Sequence, residues 1–557
     1  MTRLSSRGAR STVGSLAIYV LLSLAFFGRP LLRDWDRDYI GIGYDPLLFM
    51  WSLGWWPHAL LGGDNPFVTY AMWPATGVNL AWVTSVPGLA FLAAPVTLVA
   101  GPVIAYNVVA VALPALAAWT AFLLCRYLTG SWWASLAGGY FFGFSSYMLG
   151  HTLGHMHMTS VFLVPLVALT LLQHVHGEIG RRSLALRLGL LLGAQVWLST
   201  ELFATLTVAL LTSLVVAFAL VPDARSRLRG AAGALLGACV VAGVVAGPLL
   251  WYALTDFHTG SINDPALFPA DLLNLVVPTE ATQLNGDRPR AVSREFLANT
   301  SENGAYLGLP LLAILGWFAW ERRRQASGRL LVALLVLGVV AELGTALHVR
   351  GDRVLPLPWA LAAELPGLEH VLPVRFSMYV ALAAAVAAAL WAASSRPPVW
   401  LRATLVAAAV VALVPAVSRD LWRATPTRPP FFTEDVYRSC FGPDETVFIP
   451  DAARIHATLW QVEADYSFRI ANGALSPELP EGVPDPEAAL DVLYNNVPEG
   501  GGARVVRLAR GLDATVILLD AEHLEQWAPP LEDVGLRSVE RGGVWLYHLR
   551  PPPPTCS

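Results

Sequence analysis

Eleven apolar segments, each about long enough to cross a bilayer, constrain this chain more than any other feature. A transmembrane helix needs roughly 20 consecutive apolar residues, because the hydrocarbon core is about 30 Å thick. Only 14% of the residues are charged, against about 25% in ordinary soluble domains. We therefore predict an α-helical polytopic membrane protein with its spans at 13–32, 104–125, 132–149, 158–175, 184–200, 203–221, 230–252, 305–320, 329–348, 372–393 and 398–417.

Arginine-rich loops set the predicted orientation, because short cytoplasmic loops are enriched in basic residues. Such loops recur after every second segment, at 177–187, 223–229, 321–329 and 394–402. The first apolar run follows three arginines and lacks a small-x-small cleavage site, so we interpret it as an uncleaved span with a cytoplasmic N-terminus. This orientation places the 33–103 and 253–304 loops outside the cytoplasm. It also requires the apolar stretch 85–101 to be re-entrant or to lie along the outer leaflet, because a further span would invert every later loop.

The composition changes near Thr425, which divides the chain into a membrane module, 1–424, and a predicted extracytoplasmic α/β domain, 425–557. Short β-rich runs such as "ETVFIP" and "TVILLD" alternate there with helical ones, and the end resembles a hairpin turning at Gly542-Gly543. Cys440 and Cys556 lie near the two ends of this region. Outside the cytoplasm, this pair can form a disulfide.

All 37 basic residues are arginines, since the chain contains no lysine. A P-loop needs a lysine that reaches the phosphates, and Schiff-base chemistry needs a lysine amine. ATPases of the P-loop type and lysine-dependent lyases are therefore excluded. The formal charge of −4 and the membrane character give no reason to expect a nucleic-acid partner.

Asp45 is the predicted catalytic residue. It lies in "GIGYDPLLFMW", where glycines and a proline indicate a turn that leads into an apolar helix. Trp51, Trp55 and Trp56 fall near one side of that helix, which suits a helix lying at the membrane interface. The alternative is that Asp45 only caps the helix.

Three histidines in "HTLGHMHMTS" form a second motif. His151 and His155 have the i, i+4 spacing that can ligate a transition metal on one helix face, and His157 can complete such a site. The same imidazoles can instead bind a substrate phosphate or sugar, or serve the structure alone. Asp36 and Asp38, in the loop after the first segment, are further weak candidates for holding a divalent cation such as Mg²⁺ or Mn²⁺.

Charged residues near the predicted membrane boundary complete the set of substrate-binding candidates. The 253–304 loop carries many charges, and long loops of this kind usually cover a functional cavity. Carboxylates within spans are functional by default, and a guanidinium at the mouth of a span can clamp a phosphate with two hydrogen bonds. These arguments select Glu201, Glu280, Arg294 and Arg375.

Together these features resemble the GT-C superfamily of integral membrane glycosyltransferases. The stretches "YDPLLFMWSLGWWPHAL", "GHTLGHMHMTS" and "LPGLEHVLPVRFSMY" are similar to a bacterial branch of it. The resemblance implies inverting transfer of a sugar from a polyprenyl-phosphate donor to a glycan, lipid or protein acceptor, in a bacterial plasma membrane. It also implies that Asp45 is the general base. A single acid followed by proline departs from members with two adjacent acids, which leaves metal dependence open.

Two other functions compete with this interpretation. A secondary transporter or lipid flippase is one, although we find no internal repeat of the kind that transporters often carry. The second is a protein with the same fold that binds a carrier lipid or polymer without chemistry, because fold alone does not fix function.

Overall fold

The computed structural model describes residues 6–255, 265–362, 371–418, 420–443, 445–450, 453–475 and 479–556. Helices dominate the described residues as far as 418. They are α1 (Ser6–Ser23), α2 (Asp45–Gly62), α3 (Pro87–Ala100), α4 (Pro102–Thr129), α5 (Trp132–Gly143), α6 (Ser146–Thr152), α7 (Val164–Val175), α8 (Arg181–Leu198), α9 (Thr200–Leu220), α10 (Arg225–Thr255), α11 (Asp287–Ser293), α12 (Leu309–Arg322), α13 (Ala326–Glu342), α14 (Trp359–Ala362), α15 (Ser377–Ala392) and α16 (Val399–Ala412). Two short antiparallel pairs accompany them, β1 (Val68–Thr69) with β2 (Val78–Asn79) and β3 (Ala346–Val349) with β4 (Asp352–Pro356).

Each of the eleven predicted segments overlaps at least one of these helices. Among the described residues, five segments are long and apolar enough to cross a membrane: Ser11–Leu31, Pro102–Thr129, Thr200–Leu220, Pro222–Thr255 and Pro373–Ala392. The total of eleven spans stays a prediction. The stretch 85–101 forms α3, which at 1.5 Å per residue is about 21 Å long and so shorter than the hydrocarbon core.

Two helices show how the membrane module is layered. On α10, Leu236, Val240 and Val244 are spaced four residues apart and are about 70% exposed, which is the pattern of a face that contacts lipid. On α15, the residues from Val380 to Ala389 are almost entirely buried, apart from Ala383. A helix that is apolar all round belongs inside the bundle. The centre of the module is therefore formed around α15.

The C-terminal region combines helices with a five-stranded sheet. Its helices are α17 (Pro430–Thr433), α18 (Tyr437–Cys440), α19 (Ala453–Glu463), α20 (Pro486–Leu493), α21 (Gly501–Gly511) and α22 (Leu524–Asp533). Its strands are β5 (Thr446–Phe448), β6 (Arg469–Ile470), β7 (Val516–Asp520), β8 (Ser538–Arg541) and β9 (Val544–His548), in the order β6-β5-β7-β9-β8. The first three are parallel, and β9 is antiparallel to both β7 and β8.

A disulfide joins Cys440, at the end of α18, to Cys556 near the end of the chain. This is the pairing that the sequence allowed. The bridge closes a loop of 116 residues that contains the whole sheet. It therefore ties the last described residues of the chain to the start of the C-terminal region.

The predicted interfacial belt of tryptophans is instead buried, with Trp51 and Trp55 against the C-terminal region and Trp56 against α3 and α8. Trp51 and Trp56 are fully buried, and Trp55 is 6% exposed. Trp51 Nε1 donates to Gln461 Oε1 at 2.7 Å, and Tyr466 Oη donates to the Trp51 carbonyl at 2.9 Å. The expectation of a lipid-facing helix was wrong because the C-terminal region, distant in sequence, covers this face.

Candidate active site

Asp45 lies in the first turn of α2, where the helix dipole favours a negative charge. The N-cap residue is Tyr44, which makes no side-chain capping hydrogen bond, so Asp45 is not the cap. Its carboxylate points instead to the histidine motif, with Oδ2 at 3.3 Å from His155 Nε2. The side chain is 53% exposed.

The backbone around Gly41 brings Asp45 to the histidines. Gly41 has φ +110°, and a Cβ there would lie 2.4 Å from the Leu153 carbonyl oxygen. The amide of Ile42 donates to that same carbonyl at 2.6 Å. From the other side, Asn107 on α4 accepts from the Ile40 amide at 3.0 Å. The loop is thereby fixed between α4 and the turn that carries His155.

The three histidines follow one another from α6 into the next turn. His151 and His155 face each other, with their Nδ1 atoms 3.2 Å apart. His157 points away from this pair, and its Nε2 lies 3.8 Å from Glu201 Oε2. The motif therefore contacts three acids, Asp45, Glu201 and Glu302, rather than forming a three-histidine site.

Glu302 is the residue that the sequence analysis missed. It is 2% exposed, and its carboxylate lies 3.5 Å from His155 Nδ1 and 3.9 Å from His151 Nε2. Its loop reaches α6 because Gly150 has no side chain: a Cβ there would be 2.5 Å from the Ser301 carbonyl oxygen. The only local signal is a turn-forming "NTSENG" around the acid, in which Asn299 Oδ1 accepts from the Glu302 amide at 3.0 Å.

Arg375 links two of the acids. Its Nη2 and Nε donate to the two oxygens of Glu302 at 2.7 and 3.1 Å, and Nη1 donates to Glu201. The side chain of Arg375 is 9% exposed. Bidentate pairing of this kind fixes geometry as well as charge. The predicted phosphate clamp is therefore engaged by protein carboxylates.

Burial and charge together set the protonation of the cluster. Burial lowers the pKa of His151 to about 3, although the neighbouring charge of Glu302 opposes this effect. Burial raises the pKa of Glu302, but the charges of His151 and Arg375 outweigh it and leave the pKa well below its usual range. Burial also raises the pKa of Asp45, but the hydrogen bond and the charge of His155 outweigh this effect, and the pKa is lowered. Both acids are ionised at neutral pH.

Ligand atoms of His151, His155 and Glu302 lie within 4.8 Å of one another, a spacing compatible with one metal ion. Two imidazoles and a carboxylate suit Zn²⁺ or a similar transition metal better than Mg²⁺, which prefers oxygen ligands. Among the described residues, the cluster holds three carboxylates, of which Glu201 and Glu302 pair with one guanidinium and Asp45 contacts His155, so an additional positive charge fits the electrostatics.

The remaining predicted residues lie outside this cluster. Asp38 pairs with Arg423 and accepts from Thr425 at 2.7 Å, and the Asp36 carbonyl accepts from Arg428 at 2.8 Å. These contacts join the first loop to the C-terminal region. Neither acid belongs to a group of three possible metal ligands among the described residues, and the metal-binding role of Asp36 and Asp38 stays a prediction.

Glu280 and Arg294 occupy different positions in the second large loop. Glu280 Oε1 accepts from the Thr300 hydroxyl at 3.0 Å, two residues from Glu302, so it supports the loop that carries that acid. Arg294 follows α11 and is exposed. No contact among the described residues joins Arg294 to the cluster.

A protein-family model described as a domain of unknown function, DUF6311, matches residues 16–417. The chain belongs to the DUF6311 family. The match covers the second part of α1, all the later helices of the membrane module and all residues of the cluster around Asp45. No curated protein matches this DUF6311 chain.

Solved structures show which fold this DUF6311 chain has. AftD, an arabinofuranosyltransferase from mycobacteria, matches with a TM-score of 0.57 at 14% identity over 97% of this chain and 40% of AftD. AglB, an oligosaccharyltransferase from Archaeoglobus fulgidus, gives 0.53 at 13% identity over 97% of this chain and 74% of AglB. ArnT from Cupriavidus metallidurans gives 0.50 at 12% identity over 96% and 98% of the two chains. The GT-C fold predicted from the sequence is confirmed.

Proposed function

We propose that this DUF6311 chain is an inverting membrane glycosyltransferase. It transfers a hexose or pentose from a polyprenyl-phosphate donor to a glycan, lipid or protein acceptor on the extracytoplasmic face of a bacterial plasma membrane. Asp45 is the general base. The GT-C fold supports the class of enzyme, and the cluster around Asp45 supports the assignment of the base.

The observation that carries the proposal is the different environment of three carboxylates. Glu201 and Glu302 are both paired with Arg375, and their side chains are 28% and 2% exposed. Asp45 is 53% exposed and contacts only His155 among the ion pairs of the cluster. A general base must be ionised and must reach the proton it removes. Asp45 is the carboxylate of this cluster that satisfies both requirements.

In the proposed reaction, the acceptor hydroxyl oxygen attacks C1 of the sugar as Asp45 takes the hydroxyl proton. The bond between C1 and the phosphate oxygen breaks, and its electron pair leaves with the lipid phosphate on the opposite face. One displacement inverts the anomeric carbon. Positive groups near the departing phosphate stabilise the transition state, and exposed arginines of the second large loop, Arg294 among them, are available for this.

Arg375 has a positioning role in this proposal, because it holds Glu201 and Glu302 in place around the histidines. To bind the donor phosphate itself, it would have to release one of these buried carboxylates. A divalent cation held by His151, His155 and Glu302 would supply positive charge to the leaving phosphate. The residues fit such an ion by donor type and spacing.

Two kinds of observation support a lipid-linked donor and an extracytoplasmic site. AglB has been solved with an inhibitory peptide and a dolichol-phosphate, and also with Zn and sulfate. In this chain, the Cys440–Cys556 disulfide supports placing the C-terminal region outside the cytoplasm, where disulfides persist. The contacts of this region with α2 support the same side for Asp45.

The test compares transfer and hydrolysis of radiolabelled polyprenyl-phosphate sugars by the wild type and by Asp45→Asn, purified with native-like lipids. Asp64→Asn is the matched control, because Asp64 is an exposed acid just beyond the other end of α2. We expect Asp45→Asn to lose about 10²-fold or more in turnover, with Asp64→Asn unchanged. Full activity in Asp45→Asn contradicts the assignment of the base. Binding of donors without turnover by the wild type favours the non-catalytic alternative.

A further inference from the structure

A second cluster of metal-ligating side chains lies in the C-terminal region, at the carboxyl end of β7. Asp520 ends that strand, and Glu522 and His523 follow it. Each residue offers a ligand atom, and these atoms lie within 4.8 Å of one another. None of them contributes to the cluster around Asp45.

The sheet topology explains why these groups converge. From β5 the chain passes through α19 to β6 on one side, and it then crosses through α20 and α21 to β7 on the other side of β5. The carboxyl ends of β5 and β7 therefore flank a topological switch point. In open α/β sheets, ligands bind in the crevice at this position.

Asp520 provides the observation that points to a ligand. Its side chain is 1% exposed. Oδ1 lies 2.8 Å from His523 Nδ1 and accepts from the His523 amide at 3.1 Å. Oδ2 is buried and has no hydrogen-bond partner among the described residues. A buried carboxylate oxygen without a partner is costly, and a bound cation removes that cost.

The other two ligands give the cluster an opening to solvent. The side chain of His523 is 12% exposed, and Glu522 is exposed. His523 Nδ1 lies 2.8 Å from Asp520 Oδ1, so these two atoms can ligate one cation in place of the hydrogen bond that they share.

The cluster also adjoins the start of α2. His456 on α19 is affected electrostatically by all three residues: burial lowers its pKa, Asp520 and Glu522 oppose this, and His523 adds to it. The His456 ring packs edge-on against the Tyr44 ring, with centroids 5.5 Å apart. Tyr44 immediately precedes Asp45.

We propose that Asp520, Glu522 and His523 bind a divalent transition-metal cation, with Zn²⁺ as the best chemical match, at a site separate from the cluster around Asp45. A carboxylate pair with one imidazole is a donor set that Zn²⁺ accepts. The ion fixes the loop after β7 beside α19, and through His456 and Tyr44 it supports the beginning of α2. This inference does not depend on the glycosyltransferase proposal.

The experiment measures Zn²⁺ bound to the full chain in detergent after chelator treatment and equilibrium dialysis against Zn²⁺ alone. The test variant is Glu522→Gln with His523→Gln, and the control is Glu525→Gln, which removes an exposed acid nearby on α22. We expect the test variant to hold one Zn²⁺ per chain fewer than the wild type and the control to match the wild type. A chain with His151→Gln and His155→Gln should still bind the Zn²⁺ ion at Asp520, Glu522 and His523. This variant therefore distinguishes Zn²⁺ bound in the C-terminal region from Zn²⁺ bound in the cluster around Asp45.

Two further measurements keep the test decisive. Glu522→Gln alone changes an exposed side chain, so the fold is retained, and we expect Zn²⁺ to bind more than about tenfold more weakly. Co²⁺ added to the wild type should give visible absorption bands that His523→Gln loses. Equal Zn²⁺ binding by the wild type and the test variant, or no binding by the wild type, overturns the proposal.

Discussion

The Nε2 atom of His155 lies 3.3 Å from Oδ2 of Asp45, and the other nitrogen of the same ring lies 3.5 Å from Glu302. One imidazole thus connects an exposed carboxylate to a buried one. This contact joins the first loop of the membrane module to the second large loop. It makes His155 the positioning residue for the proposed base.

We expect His155→Ala to lower kcat by about 10²-fold with a smaller change in KM, because Asp45 loses the donor that orients it. His155→Gln, whose amide can still donate to Asp45, should recover part of the loss. The assay is sugar transfer over a range of acceptor concentrations. His176→Gln is the control, since His176 is exposed just after α7. Unchanged kcat in His155→Ala would show that Asp45 is oriented without it.

Removal of Arg375 should destabilise the chain strongly. Arg375→Gln leaves Glu302 and Glu201 without their cation, and breaking a buried ion pair on one side costs about 3–5 kcal/mol. The loss is measured as a fall in the unfolding temperature in detergent. The double variant with Glu302→Gln removes a buried charge as well and should be less destabilised than the sum of the two single variants. Additive effects would mean that the pair contributes no coupling energy.

Gln461 is predicted to hold α2 against the C-terminal region, because one of its three hydrogen bonds is with Trp51 of α2. It accepts from Trp51 Nε1 at 2.7 Å and donates at 2.8 Å to the carbonyls of Ala71 and Phe468. Gln461→Leu leaves these groups unpaired, at a cost of about 1–3 kcal/mol for each, and should reduce turnover by displacing α2. Unfolding temperature and transfer activity are measured together, with the exposed Gln526→Leu as control. A stable, fully active Gln461→Leu chain would contradict the proposed support of α2.

The ion pair between Asp485 and Arg504 should give the C-terminal region a defined acid sensitivity. The hydrogen bonds from Arg504, followed by the one from the Ala488 amide, lower the pKa of Asp485 from 3.8 to about 2. Between these two values the unfolded chain binds the proton and the folded chain does not, so the stabilisation is complete above about pH 4 and is lost as the pH falls towards 2.

Asp485→Asn tests this, because asparagine keeps the N-cap of α20 and removes only the charge. We expect the unfolding temperature of the variant to lie below that of the wild type at pH 7 and the difference to shrink below pH 4. Asp513→Asn, which changes an exposed acid after α21, is the control. A difference that stays constant from pH 7 to pH 3 would argue against the ion pair as its source.

The candidate site was only partly predictable. The sequence selected Asp45 and the histidine motif because each is an unusual polar group within a few residues of an apolar segment. Glu302 carries no comparable local signal, although the structure makes it the acid that His151, His155 and Arg375 share. Its partner Arg375 is 73 residues away, and the close approach at Gly150 that admits its loop is visible only in three dimensions.

By itself, the sequence determined the apolar helices, the hairpin of β8 and β9, and the cysteine pair available for a disulfide. These features depend on hydropathy and turn chemistry within windows of about 20 residues or fewer. The tertiary structure decided that α19 covers Trp51 of α2, that Asp38 pairs with Arg423, and that Arg375 joins two acids. The physical reason is that burial and ion pairing depend on which distant segments pack together, and hydropathy reports that a face is apolar without stating what covers it.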